Sequence, residues 1–495
     1  MSLSRTLQIH CGCWPKRLKS YVFAFVCLAA MLGITSCRQP PPPEGALVVT
    51  QTPVFQSRTK GTPDELDKLY PQGSRIILIA PPYSADEAIV LSDGLQAAGA
   101  PVVSWDGRKV YFTGKTLNAK EWQIYEANLK GGRPRPVTSM PGGAMQPAIL
   151  GDGRLIFSSP VPSTKTNFQS KVPQLFVQTP GKKPQQITFG SMGATDPTVL
   201  PDGRILFVGL RASGEGVGLY TVNNDGTEIT AFACLHDQPQ RLSRPRCLDA
   251  RQVGFISATV AGQPERVLMS RPFLSRAKLW PELINIRCRS VEPDTGGGIL
   301  ASITMKTSNP ASDLKTYAIY HLDSQTASLP RYLFFDDPLW HDVEAVQLAS
   351  RPTPKGHMST VTPEKNSGLI LCLDANRTDD TQQSTPARSI RIQTTPVPGN
   401  NGKPVKIRLE EDGSFFIKVP ANQPLNFEAL DENGQVLRKC PSITWVRPGE
   451  NRGCIGCHEP HNRIPRNHRA LALENPPVEI PDATTPPKPL AMDER

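Results

Sequence analysis

The chain has 495 residues, of which 20% are charged and 38% hydrophobic, so it has room for two or three domains with buried cores and is too polar to lie within a bilayer along its length. Its formal net charge of +10 falls to +6 once the four basic residues Arg5, Lys16, Arg17 and Lys19 near the start are set aside. This diffuse surplus, with no basic run carrying interleaved aromatics, excludes nucleic acid as the expected partner. Fifty prolines and 38 glycines demand many turns, and hence many short strands.

At the N-terminus, Lys16, Arg17 and Lys19 precede an uncharged apolar run of fourteen residues, Tyr21 to Ile34. That is short for a membrane span, and the polarity predicts a secretory signal over residues 1–36. The run ends Leu32-Gly33-Ile34-Thr35-Ser36-Cys37, which resembles a bacterial lipobox and makes Cys37 the expected lipidated residue. An ordinary secretory signal or an uncleaved anchor is the alternative. Residues 37–60, with Pro40 to Pro43 in a row, read as a stiff proline-rich tether. Arg38 stands where an acidic residue would resemble an inner-membrane retention signal. The expected location is therefore the periplasmic side of a bacterial envelope, anchored to the outer membrane through lipid.

Residues 61–354 repeat a unit. Pro101 to Phe112, Pro147 to Phe157 and Pro197 to Phe207 share a strand, an Asp-Gly-Arg turn and a second strand; a degenerate copy runs from Pro245 to Phe255. The aspartates Asp106, Asp152, Asp202 and Asp249 are 46, 50 and 47 residues apart. A further copy has Asp294 near the start of Ile299 to Ser302. Asp-Gly is the chemistry of a tight hairpin, because it tolerates positive φ. A second strand pair follows in three copies, as in Gln123-Ile124-Tyr125 leading to Pro136-Val137-Thr138. Four strands per unit predict a β-propeller blade, and Arg75 to Ala80 together with Glu344 to Ser350 would complete about six blades and close the ring. The pattern resembles TolB-like and WD40-like propellers. No paired carboxylates, nucleophile elbow or phosphate loop appears there, so catalytic residues stay unassigned.

Residues 365–443 read as a small antiparallel β-sandwich-like domain. Its clearest part is a meander in which Val405, Ile407 and Leu409, then Phe415, Ile417 and Val419, then Leu425, Phe427 and Ala429 share a face. Together with the propeller this makes an all-β chain. Cysteines in an exported protein permit disulfides, and Cys234 with Cys247 is the expected pair; Cys288, Cys372 and Cys440 remain.

Residues 444–475 carry Cys454-Ile455-Gly456-Cys457-His458, the attachment signature of c-type haem. Two thiols at this spacing add to the two vinyl groups of one porphyrin edge, and the following histidine is held beneath the iron. One haem c is therefore expected, bound covalently by Cys454 and Cys457, with His458 as proximal ligand. Zinc or disulfide chemistry is the alternative use of a Cys-x-x-Cys pair. Residues 476–495 form a proline-rich tail too broken for the helices of a free-standing cytochrome domain, so the haem must lie against the neighbouring sheets. His468 and Met492 are the candidates for the distal position.

Phe334-Phe-Asp-Asp-Pro338, Gly368 to Cys372, Asp412 to Phe416, Val419-Pro420-Ala421, Leu430-Asp431 and Trp445 to His458 resemble hydrazine synthase alpha-subunit-like proteins. The resemblance implies a propeller followed by a middle domain with a c-type haem bound by Cys454, Cys457 and His458. It differs in two respects. No second Cys-x-x-Cys-His is present, and Asn462 stands where the family's catalytic haem resembles one bound through a tyrosine. Three functions follow as expectations. The first is an exported haem lipoprotein that exchanges electrons with a redox partner protein docked on the propeller. The second is a haem redox enzyme acting on a small nitrogen or oxygen species, a small-molecule substrate. The third is a haem-free binding propeller whose Cys-x-x-Cys holds zinc or a disulfide.

Overall fold

The computed structural model describes residues 43–54, 65–162, 171–190, 192–210, 217–233, 241–249, 252–258, 266–270, 278–279, 287–304, 316–322, 331–378, 385–394, 404–440, 443–457, 464 and 467–482. Eight four-stranded sheets account for its strands. Six of them are the blades of a propeller, and two form a sandwich.

Each Asp-Gly turn lies where the repeat places it. The second blade pairs Ala97–Val103 with Val110–Lys115, the third Met145–Ile149 with Leu155–Pro162, and the fourth Thr195–Val199 with Ile205–Leu210. Between them Gly107, Gly153 and Gly203 hold φ of 71°, 83° and 92°, the left-handed region that glycine enters without steric cost. The fifth blade begins with Arg241–Cys247 and the sixth with Arg287–Pro293. The first blade combines both ends of the repeat region, in the order Trp340–Gln347, Leu47–Pro53, Arg75–Ile79, Ile89–Val90. The first strands of the six blades touch one another in cyclic order, so the ring has six members and a closed circuit.

Closure corrects one expected boundary. Leu47–Pro53, placed in the tether by its composition, pairs with Trp340–Gln347 on one side and Arg75–Ile79 on the other, and its first six residues are buried. The propeller thus begins at residue 47. A seven-residue strand with this much buried surface outweighs the proline-rich composition of what precedes it.

The inner strands share a second device. Ala100, Gln146, Asp196, Arg244 and Glu344 have φ of 53°, 55°, 50°, 52° and 56°. Each sits at a register break in the innermost strand of its blade. Such bulges bend a strand and re-aim one side chain. They turn these residues into the ring's centre, where Glu344 gathers most of the polar contacts. It accepts hydrogen bonds from Tyr70 Oη at 2.6 Å, Thr50 Oγ1 at 2.7 Å and the Ala100 amide at 2.9 Å, and pairs with Arg244 at 2.5 Å. Gln146 donates to Asp196 at 2.7 Å.

In the middle domain one sheet has the order Asn451–Cys454, Ser367–Cys372, Phe415–Pro420, Val478–Glu479. The other has Val405–Arg408, Ser389–Thr394, Leu425–Leu430, Val436–Lys439. Ile370, Ile417 and Val419 of the first meet Ile390, Ile392, Ile407 and Leu425 of the second in one core. A sandwich results, as the alternation predicts, but not the meander. Val405–Arg408, Phe415–Pro420 and Leu425–Leu430 are consecutive in sequence yet alternate between sheets. Period-two patterning fixes which face is buried and is blind to which neighbour pairs. Asn451–Cys454 and Val478–Glu479 join in parallel, so the haem-motif segment and the start of the proline-rich tail are built into the sandwich rather than appended to it.

Propeller and sandwich are parts of one compact unit spanning residues 43–495. The connecting chain runs over the Asp-Gly turns: the Arg351 amide donates to the Trp105 carbonyl at 2.8 Å and the Lys355 amide to the Pro201 carbonyl at 3.1 Å. A Cβ at Gly203 would lie 2.1 Å from the Lys355 carbonyl oxygen, so this turn also needs glycine for the crossing. Further on, Trp445 is fully buried in the core of the third and fourth blades, with Ile205, Phe207 and Tyr220. Its Nε1 donates to the Gly226 carbonyl at 2.9 Å.

Candidate functional site

The sequence from Trp445 to Cys457 enters the site from the propeller side, and its polar residues clamp it there. Arg447 Nε donates to the Asp225 carbonyl at 2.9 Å, and its guanidinium lies 5.1 Å from the Phe189 ring centre. Glu450, almost wholly buried, accepts from the Glu228 amide at 3.0 Å and from the Arg447 amide at 2.6 Å. Burial raises its pKa against the pull of these two amides. Arg452 donates to the Ile229 carbonyl. The contacts to Asp225, Glu228 and Ile229 all reach the fourth blade's turn around Asp225 and Gly226 or the residues just after it. The Arg-Pro-Gly-Glu turn is therefore a docking element, and it aims the strand Asn451–Cys454 along Ser367–Cys372.

At the end of that strand, Cys454 is directly opposite Cys372 in parallel register, and the Leu373 amide donates to the Cys454 carbonyl at 2.9 Å. The chain then bends through Ile455 and Gly456 to Cys457. Gly456 has no room for a side chain, because a Cβ would lie 2.5 Å from the Arg377 carbonyl oxygen. Both motif cysteines are partly exposed and pack on the sandwich core, in which Cys372 is fully buried. The Cys372 thiol is hydrogen-bonded to Cys457, and that contact, followed by burial, holds its pKa well above the ordinary thiol value. Burial likewise raises Cys454, with Arg452 opposing it.

The same end of the sheet carries the turns Asp374–Arg377 and Glu410–Gly413, joined by the Ala375 amide donating to the Gly413 carbonyl at 2.8 Å. Asp412 accepts from the Leu471 amide at 2.9 Å and faces His468 Nε2 at 3.6 Å. Arg377 donates to the Ile464 carbonyl at 2.7 Å. The structure thus brings Cys454, Cys457 and His468 to one end of the sandwich, with Cys372 beneath. His458, Met492, Cys37 and Cys234, and also Asn462, lie outside the described residues. Cys247 has its sulfur 2.9 Å from the Asp249 carbonyl oxygen; the disulfide expected with Cys234 involves a residue outside the described ones. Among the described residues, no three His, Cys, Asp or Glu side chains are arranged to hold a metal ion.

For Cys372 the resemblance to the hydrazine synthase alpha family offered a place near the haem beside the reading of a buried core cysteine; its pairing with Cys454 needs a parallel partner more than eighty residues away, which local alternation does not report. One feature was passed over in the sequence. The central Glu344 and Arg244 carried a signal that could have been read, since they occupy the same place in the repeat as Ala100, Gln146 and Asp196.

The donor set suits a covalently held haem: two partly exposed thiols in one bend, backed by an apolar core, with the bend's middle residue kept side-chain-free. The fold and this end of the sandwich define a class, that of a six-bladed propeller followed by a middle domain bearing a Cys-x-x-Cys pair. Residues 377–459 match the family model of the hydrazine synthase alpha subunit middle domain. The curated hydrazine synthase subunit alpha of Kuenenia stuttgartiensis is 31% identical over 123 residues, which is 23% of this chain and 15% of that protein. The solved hydrazine synthase of Kuenenia stuttgartiensis superposes with a TM-score of 0.71 at 18% identity, covering 88% of this chain and 72% of that one. TolB from Acinetobacter baumannii aligns over 68% of this chain and 73% of its own with a TM-score of 0.42 and 13% identity. Over residues 377–459 the chain is thus similar to the hydrazine synthase alpha subunit middle domain, and its curated match spans 15% of that relative's length.

Proposed function

We propose that this protein is an exported c-type haem protein that passes electrons to or from a redox partner docked on its propeller. The observation that carries this reading is the placement of Cys454 and Cys457. They lie partly exposed at the end of the sandwich, inside the segment that matches the hydrazine synthase alpha middle domain. The bound haem supplies an iron centre that takes up and gives back one electron at a time. The chain's own groups would hold and shelter it. Cys454 and Cys457 would hold it covalently and His458 would supply an iron ligand, with the sandwich core excluding water behind the thiols. Arg447, Glu450 and Arg452 keep the attachment strand registered on the fourth blade. His468, beside the Asp412 carboxylate, lies at the same end of the sandwich and would be available as a second ligand. The leader, with Cys37 as the lipidated residue, supports an anchor on the outer membrane facing the periplasm.

A second reading rests on the family match: a haem redox enzyme acting on a small nitrogen or oxygen species. The two differ in whether the sixth iron position is filled. Exporting the protein in a host that matures c-type cytochromes and recording reduced spectra with and without carbon monoxide separates them. An unchanged reduced spectrum is expected for electron transfer with a bound distal ligand. A carbon monoxide shift transfers the case to the enzyme. Colourless protein removes both and leaves zinc or a disulfide at the Cys-x-x-Cys pair.

A further inference from the structure

Cys372 is not part of the Cys-x-x-Cys motif, yet three features direct it there. Its strand runs parallel to Asn451–Cys454 with Cys372 and Cys454 as direct partners. Cys454 and Cys457 pack on the core cluster to which Cys372 belongs. Its thiol is in hydrogen-bond contact with Cys457. An isolated buried cysteine would be a small apolar filler; one touching the second thiol of a reactive pair has a chemical partner.

We propose that Cys372 and Cys457 form a reversible disulfide in the haem-free chain, so that Cys457 is held oxidised and unavailable until a reductant releases it. The oxidant is an external disulfide of the thiol-oxidoreductase class. The more exposed Cys457 sulfur, as thiolate, attacks one sulfur of that disulfide; its S–S bond breaks and the first thiolate leaves. Cys372 then loses its proton and attacks the Cys457 sulfur, and the second thiolate departs. Two cysteine thiols are oxidised to one S–S bond, and one external disulfide is reduced to two thiols. The reverse exchange with a dithiol reductant restores both cysteines. Cys454, directly across from Cys372, is the competing partner within the cluster. This inference stands on the three thiols and holds whether or not haem is the group that Cys457 receives; where it is, the bond prevents its attachment.

The test is disulfide mapping of the full-length chain produced without haem-maturation proteins, quenched with an alkylating reagent and digested for mass spectrometry. The expected result is a linked peptide pair joining Cys372 to Cys457, with Cys454 alkylated. Equilibration with increasing dithiol reductant abolishes the link. It is absent in Cys457→Ser, a substitution at the partly exposed end that leaves the core intact. Cys372→Ala, checked for folding by circular dichroism, shifts the oxidised chain to a Cys454–Cys457 link. The proposal is overturned if Cys372 is alkylated throughout after unfolding in the quench. A Cys454–Cys457 link in the unaltered chain overturns it as well, as does protection of all three thiols that a zinc chelator removes. Haem content, measured separately in a maturing host, tests the functional reading and leaves this outcome untouched.

Discussion

Replacing Trp445 with alanine perturbs the largest side chain by which the attachment segment enters the propeller core. The indole is 0% exposed and packs among Tyr220, Ile187 and Val222, with the Phe189 ring edge-on at 5.8 Å. Truncating a buried tryptophan costs about 3–5 kcal/mol in transfer and cavity terms. Losing the Nε1 bond to the Gly226 carbonyl adds about 1 kcal/mol, because that oxygen stays buried without its donor. Trp445→Phe keeps most of the apolar surface and should cost about 1–2 kcal/mol, the bond and a smaller void. Urea unfolding of both variants, followed by fluorescence of the remaining tryptophans, reads the difference. Alkylation of Cys454 and Cys457 in the folded protein reads whether the attachment strand has come loose. The expected order is a large loss with faster alkylation for alanine, and a modest loss with near-normal alkylation for phenylalanine. If Trp445→Ala stays within about 1 kcal/mol of the unaltered protein, the indole is not the anchor and the argument for a propeller-held site fails.

Three further outcomes follow from single contacts. Glu344→Gln leaves Arg244 buried beside a neutral amide and should cost about 3–5 kcal/mol. Burial pushes the Glu344 carboxyl up, but Arg244 and the bonds from Tyr70, Thr50 and Ala100 outweigh it and hold the pKa below the ordinary value. Its stabilisation is therefore complete above the unfolded-state pKa of about 4.3 and is lost as pH falls through the lower folded value. Unfolding measured from pH 7 downward should show that acid-side loss in the unaltered protein and a flatter profile in Glu344→Gln. Gly203→Ala places a Cβ against the Lys355 carbonyl, whereas Gly153→Ala, also at positive φ, meets nothing within 4 Å. The second should cost about 1 kcal/mol of backbone strain. The first should cost more and open the 351–357 crossing to trypsin at Lys355; equal costs contradict the crossing. Burial, reinforced by the Asp249 carboxylate, pushes the Cys247 thiol up to about 11, so alkylation of the native protein at pH 8 should leave it unmodified while an exposed thiol reacts.

How far the sequence carried the fold depends on what each signal encodes. The Asp-Gly-Arg hairpins specify a local backbone conformation, and Gly107, Gly153 and Gly203 adopt it. Leu47–Pro53 gave no local sign of its place, because its two neighbours lie at opposite ends of the repeat region. In the sandwich, alternation identified Ile407, Ile417 and Leu425 as buried, yet it assigned the wrong partners, since pairing is decided by long-range packing. Cys454 and Cys457 were legible from spacing alone. Cys372 required the parallel register, and the roles of Arg447, Glu450 and Arg452 required the fourth-blade turn against which they dock.

Covalent haem at Cys454 and Cys457 is the claim on which the functional account depends. It is tested most directly by the intact mass of full-length protein exported from a cytochrome c-maturing host, compared with Cys454→Ser/Cys457→Ser. The account predicts a mass increased by one haem that survives denaturation and a haem absorbance absent from the double variant. An unmodified mass, or a pigment retained by the double variant, contradicts it.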